Sequence, residues 1–454
     1  MAGNPAKVKV RVAPSPTGFL HIGTAQSALY NWLFAKKMAG TFYLRIEDTD
    51  KERSTKEFEQ DIIDGLTWLG LDWEGDVIRT SDHLQNYRAP LEKLLREGKA
   101  FYCHHSQEEL EAERQRQESE KVPPRHECRH KELPLGKEGG GIIRLAVDAA
   151  SDRKIVFNDV IRGPIEFKAA LLGDFSIARS VSDPLYNFYV IIDDAEMEIS
   201  HIIRGEDHIS NTPKQILIYE ALGLPVPLFA HLPLILAPDR SKLSKRHGAM
   251  SVMEYKKDYL SGSLINFLGG LGYTFSKDIL SREEMTAEFD LAKVHKSGAV
   301  FDIKKLNWIN AQYVKRLSPA DLRQAAGLPD ISDAAAPLVT ERLEKLSDAR
   351  EFSYLWSEPE YEADMLGWKN EDAHITRTAL ERVKGVIENW DFQDEKILRG
   401  RLDSVAGGDR GGVYWPFRVA LSGKKFSPDP VQIMLVLGKD EVIKRINIAI
   451  SKLS

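Results

Sequence analysis

SPTGFLHIGTAQ, residues 15–26, decides how this chain is read. Before it, Val8, Val10 and Val12 alternate at the period of a strand; after it, Ala25, Leu29, Trp32 and Leu33 share one side of a helix expected over 23–38. A strand that ends at Pro14 and Pro16, turns through Gly18 and enters a helix at Gly23 gathers backbone N–H groups at one point. That arrangement suits an anion such as a nucleotide phosphate. His21 and Thr24 add side-chain donors there, which implies stabilisation of charge rather than nucleophilic attack. The same two residues would serve equally well as a plain helix cap.

At 454 residues the chain exceeds one ordinary domain. Its 43% hydrophobic and 29% charged residues are typical of globular proteins. No apolar run approaches the ~18 residues of a membrane span, so no membrane association is expected. The start, MAGNPAKVKV, lacks a secretory apolar core, and two cysteines do not make a disulfide framework, which together imply a cytoplasmic protein. A net charge of −6 argues against wholesale coating by nucleic acid but permits a local basic surface.

The strand and helix rhythm continues through TFYLRIED (41–48) and helices expected over 55–69 and 82–96. From 100 to 182 the texture changes to a charged helix, SQEELEAERQRQESEK, and β-rich segments, which reads as an insertion. The rhythm resumes at LYNFYVIIDD (185–194) and HIIRGEDHISNTPKQILIYEALG (201–223). After about 255 the chain is expected to be almost wholly helical, with a possible boundary at DAAAPLVTERLEKL near 340. The fold class is therefore α/β: a doubly wound parallel sheet with an α+β insertion, then an all-α region.

PDRSKLSKRHGAMS (238–251) crowds Lys242, Lys245 and Arg246 beside Gly248, a cationic segment suited to a triphosphate, although lysine-rich loops are ordinarily solvated surface. Paired with FLHIGT (19–24), KLSKR (242–246) resembles the two signatures of class I aminoacyl-tRNA synthetases. Six segments resemble bacterial glutamyl-tRNA synthetases, in that family's order: RVAPSPTGFLHIGTAQSALYNWL (11–33), FYLRIEDTD (42–50), VFNDVIRGPIEF (156–167), LYNFYVIIDDAEMEISHIIRGEDHISNTPKQ (185–215), KLSKRHGAMSV (242–252) and FDIKKLNWIN (301–310). The resemblance implies a Rossmann-type catalytic domain in two halves, 1–99 and 183–240, around an acceptor-stem-binding insertion, 100–182. It further implies the lysine loop with a stem-contact region over 241–315 and a helical anticodon-binding region over 316–454. The implied reaction activates L-glutamate with ATP and charges tRNA(Glu), in a protein expected to be monomeric.

By the same resemblance His21 and Thr24 meet the ATP phosphates, Gly23 lets adenosine lie against the backbone, and Lys245, helped by Lys242, steadies pyrophosphate. Asp207 and His208 would lie near the ribose and adenine, and Leu234 and Ile235 near the base. Magnesium accompanies ATP, held by phosphates and water rather than by a named side chain. Glutamate's two carboxylates and ammonium call for two cations and an anion; the matching residues are Arg11, Arg204 and Glu47, with Ser15 and Tyr186 as hydrogen-bonding partners. Which arginine takes the side-chain carboxylate is left open, as are the plainer readings of Glu47 as a strand-end surface carboxylate and Arg11 as a strand-edge charge. Glutaminyl relatives typically lack an arginine at the position of Arg204, which favours glutamate.

Cys103 with His105 and Cys128 with His130 form two Cys-x-His pairs, a plausible structural zinc set; the alternative is two unlinked thiols. His105 departs from the family, where a cysteine is frequent. In GGVYWPFRVALSGKKFSPDP, Trp415, Arg418, Lys424 and Lys425 combine stacking surface with phosphate-seeking charge, yet Trp415 and Phe417 read more simply as core. Two other functions stay in view. One is an enzyme that also charges glutamine tRNA, and the other is a catalytically silent RNA-binding relative, which the intact His21, Lys242 and Lys245 disfavour.

Overall fold

The structure is a computed structural model, and it describes residues 7–132, 141–148, 152–243, 250–369, 371–389 and 395–453. The chain divides into two compact units, Met1–Lys256 with Leu264–Ile303 and Lys257–Ser263 with Lys304–Ser454, so the 241–315 region is shared between them.

In the first unit, β1 (Lys9–Val12) runs parallel to β2 (Thr41–Ile46), and α1 (Ile22–Lys37) is the crossover between them. α1 buries Ala25, Leu29 and Leu33 as the apolar spacing requires. α2 (Lys56–Leu69) follows, capped by Thr55, and leads to β3 (Ile78–Arg79), parallel to β2. The helix expected over 82–96 is instead a tight 3-10 run, Thr80–Tyr87, followed by α3 (Arg88–Arg96). Pro90 fits this break: it has no N–H to donate to the carbonyl four residues back, and it sits in the first turn of α3, where no such donor is needed.

The insertion begins with β4 (Ala100–Cys103) and α4 (Gln107–Ser119), whose Ser106/Glu109 capping box opens a helix with no buried residue, the solvated face that its charges suggest. β5 (Ile142–Leu145), β6 (Lys154–Asp159), β7 (Gly163–Lys168), β8 (Ser176–Ser180) and β9 (Asp183–Pro184) complete it. An antiparallel sheet has the order β4-β5-β8-β9, and β6 with β7 forms a separate hairpin. Along β6 every second residue is buried, which turns Ile155, Phe157 and Asp159 inward together.

α5 (Tyr186–Glu196), β10 (His201–Gly205), α6 (Thr212–Leu222) and β11 (Leu228–Leu232) restore the parallel pattern, with β10 and β11 paired and Ser200 N–H donating to Lys9 O at 3.0 Å to set β10 beside β1. Further along the chain lie β12 (Ile235–Leu236), α7 (Val252–Tyr255), α8 (Ser261–Gly270), α9 (Arg282–Glu288), β13 (Ala299–Val300), which pairs with β12, and α10 (Ile303–Val314).

The second unit continues through α11 (Pro319–Ala326), α12 (Ala336–Thr340), α13 (Ala373–Glu388), α14 (Glu395–Ala406), α15 (Arg410–Ser422), α16 (Pro430–Leu437) and α17 (Lys439–Lys452), with no strand among its described residues. The stretch near 340 is not a boundary: Ala336, Leu338, Val339 and Leu343 are buried in this unit's core. Phe417 is buried in the same core, and Trp415 packs against it with Nε1 donating to Met365 O at 2.9 Å. Among the described residues no helix is long and apolar enough to cross a membrane.

Candidate active site

His21 is the N-cap of α1. Its Nδ1 accepts from Thr24 N–H at 3.2 Å, and Nε2 lies 3.0 Å from Thr24 Oγ1. Because Nδ1 accepts, the ring proton sits on Nε2. Burial, with Lys242 nearby, holds the imidazole below its ordinary pKa and so in this neutral form. The cap that the sequence allowed is therefore present, and the same ring borders an open cleft of about 1730 Å³. A Cβ on Gly23 would come within 3.2 Å of His21 Nδ1, so any larger residue would press the ring aside by a few tenths of an ångström.

The lysine segment, more than two hundred residues away in sequence, is stitched to this turn. His21 bridges Ser251, and Val252 N–H donates to Leu20 O at 2.8 Å. At its other end Lys242 bridges Leu236, Leu243 N–H donates to Ile235 O at 3.0 Å, and Lys242 Nζ lies 3.5 Å from Asp207 Oδ2. Thr24, Asp207, His208, Leu234, Ile235 and Lys242 line the same cleft. Lys245 lies outside the described residues.

Beneath the cleft is a buried ionic cluster that sequence reading did not foresee. Arg11 from β1 donates Nε and Nη2 to the two oxygens of Asp194 at 2.9 and 3.0 Å. Arg45 from β2, wholly buried, donates Nη1 to Asp194 Oδ1 at 2.6 Å and Nη2 to Glu47 Oε1 at 3.1 Å, with Asp193 Oδ2 3.8 Å from its Nε. Burial works against the charge on Asp194, but the two arginines outweigh it and hold the carboxyl below its usual range. Ser15 Oγ donates to Glu47 O at 2.9 Å and fixes the end of β2. Arg11 and Glu47 are thus neither strand-edge nor surface charges; both are buried and both border the cleft. Arg45, Asp193 and Asp194 stand in quoted segments, but no local pattern marks them as one cluster.

Arg204, from β10, differs from the other two arginines. Its Nη2 donates to Thr212 Oγ1 at 2.9 Å and Gln215 Oε1 at 2.8 Å, its Nε to His231 Nε2 at 3.3 Å, and its Nη1 is buried without a hydrogen-bond partner. Every one of these partners is uncharged. Burial foremost lowers its pKa, and the attraction of Asp194, which makes no hydrogen bond to it, does not offset that cost. Tyr186, buried until its hydroxyl pKa rises to about 12, stays protonated beside it, 3.2 Å from His208 Nδ1.

Burial, and then the charge of Arg204, push His208 down to about 4. An unfolded histidine binds its proton near 6.5, so this group's contribution to stability is complete above that pH and is lost as pH falls toward 4. We expect an NMR titration of the His208 imidazole to give a pKa near 4, moving upward in Arg204→Gln. An unmoved value would show that Arg204 does not act on this ring.

The insertion holds a second centre. One ligand atom each from Cys103, His105, His126 and Cys128 falls within 4.8 Å of the others. Sγ of Cys103 lies 3.4 Å from His105 Nδ1 and 3.6 Å from His126 Nε2, and Sγ of Cys128 lies 3.6 Å from His105 Nδ1. Zinc bonds of about 2.0–2.3 Å at tetrahedral angles separate neighbouring ligand atoms by about 3.5 Å, so the donor set and its spacing fit zinc. The geometry substitutes His126 for the expected His130. The second ring of HECRH (126–130) lies 3.4 Å from Cys128 Sγ, but its Nδ1 accepts from His104 N–H at 3.3 Å. His126, by contrast, turns Nε2 inward while Glu113 Oε2 holds its Nδ1 at 2.5 Å.

Residues 7–308 match the family described as "tRNA synthetases class I (E and Q), catalytic domain", and residues 303–450 match "Anticodon binding domain". The chain is 40% identical over 465 residues to a glutamate–tRNA ligase of Thermodesulfovibrio yellowstonii, covering 97% of this chain and 98% of that one. It is 41% identical over 459 residues to another of Trichlorobacter lovleyi, covering 97% of each. A crystal structure of a glutamate tRNA ligase from Elizabethkingia meningosepticum in complex with its amino acid is similar with a TM-score of 0.87 at 32% identity, over 99% of this chain and 100% of that one. The cleft that joins the histidine turn to the lysine segment, and these similarities along nearly the whole length, place the chain in the glutamate–tRNA ligase family of class I aminoacyl-tRNA synthetases.

Proposed function

We propose that the protein activates L-glutamate with ATP and transfers the glutamyl group to the 3' end of tRNA(Glu). The observation that carries this reading is the unneutralised guanidinium of Arg204 in the same cleft as His21 and Lys242. A buried cation with a free donor and only neutral partners is matched by a carboxylate, and the neutral amide of glutamine would leave it uncompensated. In the first step an oxygen of glutamate's α-carboxylate attacks the α-phosphorus of ATP and pyrophosphate departs. In the second a hydroxyl of the terminal ribose attacks the acyl carbon and AMP departs. No side-chain nucleophile is required, so the chain's task is to position and to neutralise charge. His21 and Thr24 face the phosphates, and Lys242 with Lys245 takes up charge on pyrophosphate. Asp207, His208, Leu234 and Ile235 border the nucleoside, and Gly23 gives it room. Magnesium arrives with ATP. Glu47 is the anion for the substrate ammonium, with Ser15 and Tyr186 shaping the pocket and Arg11 completing its charge.

In this reading the insertion over 100–182 receives the acceptor end, 241–315 the stem, and 316–454 the anticodon. The enzyme works in the cytoplasm as a monomer. ATP–pyrophosphate exchange with glutamate, run with and without tRNA, tests the activity, and charging of purified glutamate and glutamine tRNAs tests its specificity. Absence of glutamate-dependent exchange under both conditions would refute it.

We also assign zinc to Cys103, His105, His126 and Cys128. Four protein ligands leave no open coordination position, so the metal supplies folding energy rather than chemistry. Metal analysis is expected to give about one zinc per chain, lost in Cys128→Ser and kept in His130→Ala. Equal loss in both variants would return His130 to the ligand set.

A further inference from the structure

Arg204 has a support that reaches it from the insertion. Asp159, the last residue of β6, is buried and fully occupied with donors: it accepts from Ile161 N–H at 3.0 Å, Arg162 N–H at 2.9 Å and His231 N–H at 3.1 Å. Its Oδ2 also lies 2.6 Å from His231 Nδ1. His231, on β11, is wholly buried, and on the far side of its ring Nε2 receives Arg204 Nε at 3.3 Å, with Thr212 Oγ1 3.1 Å away.

The chemistry permits one protonation state. A guanidinium Nε–H can only donate, so Nε2 must carry a lone pair; an ionised carboxylate only accepts, so Nδ1 must carry the proton. Asp159 thereby fixes the tautomer that gives Arg204 a neutral acceptor. The consequence is electrostatic. A carboxylate in place of the imidazole would aim the guanidinium equally well but neutralise it, as Asp194 neutralises Arg11 and Arg45. Here the anion is held one ring away. We propose that His231, its tautomer set by Asp159, is the positioning residue for Arg204, fixing the direction of the guanidinium while leaving its charge for the substrate carboxylate.

This rests on the glutamate-activating reading and is tested by splitting the two sides of the ring. In His231→Asn the short amide keeps a donor where Nδ1 stood and loses the acceptor toward Arg204. In His231→Gln the longer side chain places an acceptor near the Nε2 position and gives up the contact with Asp159. Glutamate KM, ATP KM and thermal midpoint are measured for both beside the wild type in ATP–pyrophosphate exchange with tRNA. His231→Asn is expected to raise glutamate KM about 10–100-fold with ATP KM unchanged, the cost of a misaligned hydrogen bond to a charged group. His231→Gln is expected to keep glutamate KM within a few-fold of wild type while its thermal midpoint falls. The reverse ranking, equal effects, parallel loss of both substrates, or a normal glutamate KM in His231→Asn each overturn the proposal. Each variant is also compared with wild type by itself: a raised glutamate KM in His231→Gln, or a normal one in His231→Asn, overturns the proposal even if the other variant fails to fold. A wild type that shows no glutamate-dependent exchange defeats the functional reading instead.

Discussion

Replacing Arg204 by glutamine is expected to lower kcat/KM for glutamate by roughly 10²–10³, with the affinity for ATP preserved. The size follows from what is removed. Arg204 holds a buried donor, Nη1, that no hydrogen bond satisfies, and no carboxylate is among its hydrogen-bond partners. A carboxylate that enters this pocket exchanges water for a charge-assisted contact, and the amide variant cannot return that interaction. Glutamine should suffer far less, so the preference for glutamate over glutamine narrows. Steady-state exchange kinetics with both amino acids check this, and an unchanged preference would move the discrimination elsewhere in the cleft.

Arg45→Met should be the most damaging substitution for folding. Arg45 is wholly buried and touches Asp194 and Glu47 with Asp193 close by, so its loss leaves three buried carboxylates with Arg11 as the remaining cation of that cluster. Breaking a buried ion pair from one side costs about 3–5 kcal/mol, a large part of the stability of any domain. Calorimetry should show the transition of the first unit falling while that of the second, which contains none of these residues, stays in place. The sign of the pH dependence follows from Asp194. Its depressed pKa in the folded wild type contributes stability that is present above the unfolded value near 3.9 and lost as pH falls through the folded one. Without Arg45 those carboxyls take up protons more readily, so the deficit should shrink toward acid pH. A deficit independent of pH would mean that lost packing, not uncompensated charge, destabilises the variant.

These two arginines show how far the sequence could be read. The turn at His21 was legible because its strand spacing, prolines and helix start are local, and α1 begins within one residue of the expected position. Arg204 was marked by its setting in RGEDH, although its lack of a charged partner appears only when α6 and β11 are packed beside it. Arg45 lies in TFYLRIED two residues before Glu47 with nothing local to mark it, since its partners Asp193 and Asp194 arrive from α5, about 150 residues later. The insertion shows the same limit. His126 and His130 flank Cys128 symmetrically in HECRH, and spacing cannot choose between them; Glu113 on α4 does, by holding the His126 ring. Likewise nothing local in VFNDVIRG says that Asp159 reaches His231.

The neutral setting of Arg204 has one consequence at the bench. A guanidinium that the protein leaves without an anionic hydrogen-bond partner is open to any small anion in the medium, so acetate, chloride or sulfate in a buffer is expected to compete with glutamate, if Arg204 takes its carboxylate as proposed. Glutamate affinities measured in different salts should then differ, and the counter-ion belongs in the description of any assay.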